Sequence, residues 1–125
     1  MINKANSDSE KNKCREYLRN RGLESPTDCF LYIENENGII TAVAGITIGE
    51  CDRFNVGYIE PYYADNNAYN IKLYCAVEGY LLARMVKYII VGCEQNETTE
   101  SMYVKLGYQK WSKNMNQYIK LLNTE

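Results

Sequence analysis

Histidine is missing from the chain altogether, and its absence excludes imidazole acid–base relays, histidine-based zinc sites and the serine or cysteine triads that depend on that ring. Any catalysis must therefore use carboxylates, tyrosine, lysine, cysteine or backbone dipoles. No apolar run approaches the length of a membrane span, and the polar start from Met1 to Glu10 lacks the hydrophobic stretch of a secretory signal. We therefore expect a cytoplasmic protein with no membrane partner. A strong positive charge is lacking too. The net charge is −2, without the basic field that draws proteins to phosphate backbones, so nucleic acid is not an expected partner despite Lys105, Lys110, Lys113 and Lys120 near the end. The five cysteines, at 14, 29, 51, 75 and 93, contain no close pair that would read as a metal or redox hook. They are expected to act as small buried hydrophobes.

What the chain does have is the balance of a globular protein: 125 residues, 46% hydrophobic and 24% charged. We expect one domain over residues 1–125, with neither repeats nor a low-complexity linker. Ser7-Asp8-Ser9-Glu10 sets a hydroxyl three residues before a carboxylate, the capping-box signature, and Gly22 supplies a stop. A helix is predicted from Asp8 to Arg21. Cys29 to Glu34, the Asn37-Gly38 turn and Ile39 to Ile48 predict a β-hairpin. A third strand is predicted from Asp52 to Glu60, ended by Pro61, which has no amide to donate.

From Asn67 to Val86, the residues Ala68, Ile71, Cys75, Leu82 and Val86 share one helical face with Gly79. That glycine suggests either a close approach to a sheet or chance. Tyr88 to Val91 reads as a short strand and Glu97 to Leu106 as a helix. Gly107 to Trp111 with Asn116 to Leu122 reads as a closing hairpin. The expected class is α/β with mixed α+β character: a central, mostly antiparallel twisted sheet flanked by helices, with a shortened amino-terminal part that retains at most a first strand at Ile2.

Two stretches resemble the GNAT superfamily of acetyl-CoA-dependent N-acetyltransferases. Asn96, then Tyr103 seven residues on, then Lys105-Leu106-Gly107-Tyr108 is similar to the family's asparagine, helix tyrosine and closing lysine, leucine, glycine and aromatic. Ile59-Glu60-Pro61 resembles the branched residue, free residue and proline that close the family's fourth strand. The resemblance implies the acyl-CoA N-acyltransferase fold, acetyl-CoA as acyl donor, and direct attack by a primary amine on the thioester. It implies that a gap between the strands ending near Ile59 and Cys93 admits the pantetheine arm, with backbone amides beside Ile59 bonding it. Tyr103 would protonate the departing thiolate, and Asn96 would contact the cofactor arm or cap the helix. Glu60 is the carboxylate nearest the implied reaction centre and the candidate base, with Glu50 and Asp52 further off.

The stretch after the proline departs from the family's glycine-bearing pyrophosphate loop. It reads Ala64, Asp65, Asn66, Asn67, Ala68, Tyr69, so the implied cofactor contacts at Asn67, Ala68 and Tyr69 belong to a degenerate loop. Tyr69 adds bulk and Asp65 a negative charge where phosphates would arrive. An alternative is thus a non-catalytic GNAT-like protein-interaction or ligand-sensing module that has lost acetyl-CoA binding, presenting Tyr62, Tyr63 and Tyr69 to a partner. The expected partners are a small-molecule or protein amine acceptor and, given the reduced amino-terminal part, a second copy in a homodimer.

Overall fold

The computed structural model describes residues 2–51, 54–65, 71–92, 101, 103–110 and 117–122. Their strands form a seven-stranded sheet whose elements follow the chain as β1 (Ile2–Lys4), α1 (Asp8–Arg19), β2 (Phe30–Glu34), β3 (Ile40–Cys51), β4 (Phe54–Ala64), α2 (Ile71–Ala83), β5 (Val86–Gly92), β6 (Gln109–Lys110) and β7 (Gln117–Leu121). Across the sheet the order is β1-β2-β3-β4-β5-β7-β6. All neighbours are antiparallel except β4 and β5. That parallel pair requires a crossover, which α2 provides.

The two helices cover opposite faces. On one, Cys14, Tyr17 and Leu18 of α1 pack against Phe30, Tyr32 and Val43. On the other, Leu73, Tyr74, Val77 and Leu81 of α2 pack against Leu31, Ala44, Ile59, Ile89 and Val91. The period-2 alternation of β2 and β3 serves both cores, which is why their sequences are apolar at nearly every position.

At α1, Ser7 Oγ accepts from the Glu10 amide at 3.1 Å while Glu10 Oε1 accepts from the Ser7 amide at 3.2 Å, the expected reciprocal cap. The Tyr32 hydroxyl donates to the other Glu10 oxygen at 2.8 Å, and these bonds hold the Glu10 carboxyl below its ordinary pKa. The helix closes at Asn20 instead of Arg21, with Gly22 in the left-handed region at φ +73°. The predicted hairpin stands, and Gly38 takes the positive φ (+75°) that its turn requires. A first strand at Ile2 is present and pairs with β2.

Three expectations are corrected. Pro61 does not end the third strand. β4 continues to Ala64, still paired with β3, because two residues, Glu60 and Pro61, oppose the single Gly45. Proline lacks a donor, and a bulge position asks for none. The buried face of α2 is Leu73, Tyr74, Val77 and Leu81, whereas Ile71, Cys75 and Leu82 are exposed. Gly79 is exposed, with nothing within 4 Å of a Cβ built on it, so it marks no close approach. That role belongs to Gly57, where a Cβ would lie 2.9 Å from Leu81. Of the cysteines, Cys14 is buried as expected and Cys75 is exposed.

Candidate functional site at the β4–β5 fork

The bulge shifts the parity of β4. Before it, Gly57 and Ile59 face α2; after it, Tyr62 and Ala64 do. Glu60 and Pro61 occupy the slip. The ladder to β5 runs from Asn55↔Val86 to Ile59↔Val91 and stops there, while β4 continues beside β3 to Ala64. The sheet therefore forks immediately after Ile59, and the β5-facing edge of β4 beyond it has no partner strand among the described residues.

The loop between α1 and β2 pins the bulge. Ser25 Oγ donates to the Glu60 carbonyl at 2.6 Å, Thr27 Oγ1 donates to the Ile46 carbonyl, and the Ile46 amide donates to the Cys29 carbonyl at 2.9 Å. Gly45 makes this possible, since a Cβ there would stand 2.4 Å from the Glu60 carbonyl oxygen and 2.7 Å from Ser25 Oγ. At the end of β4, the Asp65 carboxylate accepts from the Tyr17 hydroxyl at 2.8 Å and from Arg21 Nε at 3.0 Å. The Arg21 guanidinium lies 3.5 Å from the Tyr17 ring centroid. Burial and the Asp65 carboxylate push the Tyr17 hydroxyl's pKa up. Asp65, expected to add a negative charge where phosphates would arrive, is paired with Arg21 on the α1 face.

On the α1 side of the fork is a cleft of about 270 Å³ lined by Glu24, Tyr58, Ile59, Glu60, Pro61, Ile90 and Gln117. Neither Glu24 nor Glu60 has a salt-bridge partner among the described residues. On the α2 side, Tyr103 covers the rung that ends the ladder. Ile59 pairs with Val91, Val91 with Tyr118, and the Tyr103 ring stacks on Tyr118 at 5.9 Å and meets Tyr108 edge-on at 5.2 Å. Tyr103 is only 6% exposed. Tyr74 extends the cluster, its hydroxyl donating to that of Tyr108 at 2.6 Å, and burial raises the Tyr74 pKa.

The structure thus brings Ile59, Glu60 and Tyr103 around one end of one ladder, from opposite faces. Asn67, Ala68, Tyr69 and Asn96 lie outside the described residues. Tyr62 and Tyr63, read as candidate interface rings, are half-buried on opposite faces: Tyr62 against Tyr74 at 6.5 Å, Tyr63 against Tyr17 at 6.3 Å. Sequence reasoning missed Glu24, Ser25, Tyr58 and Gln117. Only the Ser7 to Gly22 helix signal, which fixes where the following loop begins, hints that Glu24 and Ser25 reach the fork. No group of histidine, cysteine, aspartate and glutamate side chains suited to a metal occurs among the described residues, and no described helix is long and apolar enough to cross a membrane.

No protein-family model and no curated protein matches the chain. Solved structures do. An acetyltransferase of the GNAT family from Staphylococcus aureus Mu50 superposes with a TM-score of 0.72 at 14% identity, covering 98% of this chain and 100% of that one. Tetrahymena GCN5 gives 0.68 at 9% identity over 100% and 98% of the two chains. The GNAT-family N-acetyltransferase YhbS from Escherichia coli, in complex with CoA, gives 0.64 at 11% identity over 98% and 81%. With the fork between β4 and β5, the bulge at Glu60-Pro61 and these superpositions together, the chain has the GNAT acyl-CoA N-acyltransferase fold.

Proposed function

We propose that this protein is an acyl-CoA-dependent N-acyltransferase that moves an acetyl group to a primary amine by direct attack, the reaction centre lying at the fork beside Ile59. The observation that carries this reading is the ending of the β4–β5 ladder at Ile59↔Val91 while β4 continues. An extended pantetheine arm with amides of its own fits the unpaired edge, where backbone groups need partners. Bound acetyl-CoA would supply the acyl group as a thioester. By the resemblance, Asn67, Ala68, Tyr69 and Asn96 would contact the remainder of the donor.

The chain's own residues would do the rest. Glu60 and Glu24 attract an ammonium into the cleft, and Glu60 takes a proton from it to free the nitrogen lone pair. A C–N bond forms as the thioester C–S bond breaks, and the nitrogen gives up its second proton to solvent. Tyr103 donates its hydroxyl proton to the departing sulfur and regains one from solvent, so the net products are an amide, free CoA and one released proton. Positioning two reactants against one polarised carbonyl supplies most of the acceleration, and histidine is not needed.

The test is calorimetry with acetyl-CoA and with free CoA, followed by amine acetylation assays. Micromolar binding is expected. Glu60→Gln and Tyr103→Phe are each expected to lower kcat by about a hundredfold, with donor affinity changed less than about threefold. The absence of binding at millimolar acetyl-CoA would refute the proposal. A second reading, a non-catalytic binding module, draws on the burial of Tyr103 among Tyr108 and Tyr118. It predicts that Tyr103→Phe changes thermal stability and no catalytic rate.

A further inference from the structure

One hydroxyl joins the two glutamates of the cleft. Glu24 comes from the loop between α1 and β2, Glu60 from the bulge of β4, and both line the hollow at the fork. Glu24 is followed by Ser25, whose Oγ donates to the carbonyl of Glu60 at 2.6 Å. The residue next to the first carboxylate is thus bonded to the backbone of the residue that carries the second.

The surroundings leave this task to Ser25. The loop is anchored on either side of it: the Leu23 amide donates to the Leu18 carbonyl at 2.9 Å, and the Thr27 hydroxyl donates to the Ile46 carbonyl. Between these anchors Glu24, Ser25 and Pro26 make no backbone–backbone hydrogen bond among the described residues. The Ser25 hydroxyl is therefore what ties the stretch to β4. The Thr27 amide donates to Ser25 Oγ at 3.3 Å, which occupies the oxygen as an acceptor and leaves its single proton for the Glu60 carbonyl. On the other side, pairing of β4 with β3 stops at Ile59↔Ile46 and resumes at Tyr62↔Ala44. Pro61 contributes no amide, so the Glu60 carbonyl is the one hydrogen-bonding group of its peptide unit. Fixing it fixes the plane of that unit, one of the two planes that set the direction in which the Glu60 side chain leaves the chain.

Resting on the transferase reading for the chemistry of the cleft, we propose that Ser25 is a positioning residue of the acceptor site. Its hydroxyl acts on the substrate only through the glutamates: it holds the Glu60 backbone so that the carboxylate meets the incoming ammonium, and it holds Glu24 at the other wall. Without that bond both carboxylates remain, but their separation is no longer fixed. A misplacement of about 1 Å in a reacting group costs on the order of a hundredfold in rate.

The experiment is a double-mutant cycle on the full chain, using acetyl-CoA and a panel of benzylamine, putrescine, ethanolamine and glycinamide, scored on the amine that the parent turns over fastest. Ser25→Ala is expected to lower kcat at least about tenfold and to raise the acceptor KM about threefold, with acetyl-CoA affinity by calorimetry changed less than about twofold. In Glu60→Gln, which has no base to position, the same substitution is expected to change kcat less than about twofold. Ser25→Cys, whose thiol is a weak donor, is expected to fall between, and it carries the cycle should the alanine variant not fold. Backbone amide relaxation by nuclear magnetic resonance gives a readout that needs no turnover: the amides of Glu24 and Glu60 are expected to be rigid in the parent and to loosen together in Ser25→Ala. Loosening of both amides in a protein whose parent transfers no acetyl group would uphold the tether and overturn the transferase reading. Transfer by the parent with kcat unchanged in Ser25→Ala, or with equal losses in the presence and absence of the Glu60 carboxylate, would overturn the inference and leave the transferase reading standing. Amides that stay rigid in Ser25→Ala overturn the inference whatever the activity.

Discussion

Replacing Gly45 with alanine tests the bulge directly. The added methyl carbon would lie 2.4 Å from the Glu60 carbonyl oxygen, 2.7 Å from Ser25 Oγ and 2.9 Å from Thr27 Cγ2. The first is backbone and cannot rotate aside. Either β3 and β4 separate at this point, or the Ser25 hydroxyl abandons the carbonyl it now meets at 2.6 Å. Overpacking of this kind costs about 2–3 kcal/mol. For a chain of 125 residues, each kcal/mol lowers the melting temperature by roughly 3–5 °C, so a fall of roughly 6–15 °C is expected. Gly79→Ala is the internal control. Nothing lies within 4 Å of that position in α2, and alanine there should stabilise the protein by about 0.5–1 kcal/mol. Both are measured by thermal melting monitored by far-ultraviolet circular dichroism, with urea midpoints as a check. A Gly45→Ala melting temperature within about 2 °C of the parent would refute the packing at the bulge, as would a shared sign for the two variants.

Asp65→Ala should destabilise the protein by about 1 kcal/mol, at the low end for a charged hydrogen-bonded pair because both partners are partly solvent-screened. A double-mutant cycle with Arg21→Met should show coupling of at least about 0.5 kcal/mol, and strict additivity would refute the Asp65–Arg21 pairing. Cys75 should react with maleimide in the native state, while Cys14 should stay protected until unfolding. Early labelling of Cys14 would contradict its burial. Desolvation pushes the Cys14 thiol from an ordinary 9.0 up to about 12. Its contribution to stability is thus fully present below pH 9 and is lost as pH rises from there towards 12, because only the unfolded thiol ionises in that window. The Cys14→Ala variant should show a shallower alkaline fall in urea midpoint than the parent, and parallel curves would count against the assignment.

Local signals in the sequence anticipated the parts of the fold that local chemistry decides. The Ser7–Glu10 cap and the Asn37-Gly38 turn are complete within a few residues, and both appear where they were expected. The parity slip in β4 was misread because a proline, having no amide to donate, looks like the end of a ladder. Only the opposing Gly45, fifteen or more residues earlier, reveals a bulge. In α2, apolar residues surround most of the helix, so several faces satisfy the helical period. The choice of Leu73, Tyr74, Val77 and Leu81 over Ile71 and Leu82 is made by contacts with the sheet. At the candidate site, motif spacing singled out Ile59 and Tyr103, Glu60 was chosen as the carboxylate nearest to them, and the structure sets Ile59 at the end of the β4–β5 ladder. Glu24, Gln117 and the Tyr17–Arg21–Asp65 group were not legible, because their partners are distant in the chain and come together only when the sheet closes.

Because the sole parallel ladder among the described strands joins β4 to β5, the sheet amounts to two antiparallel panels sewn along one seam: β1 to β4 on one side, β5, β7 and β6 on the other. Parallel pairing is the weaker kind per residue, and a seam frays first at its open end. Loosening the Ile59↔Val91 stitch would leave the ladders within each panel intact.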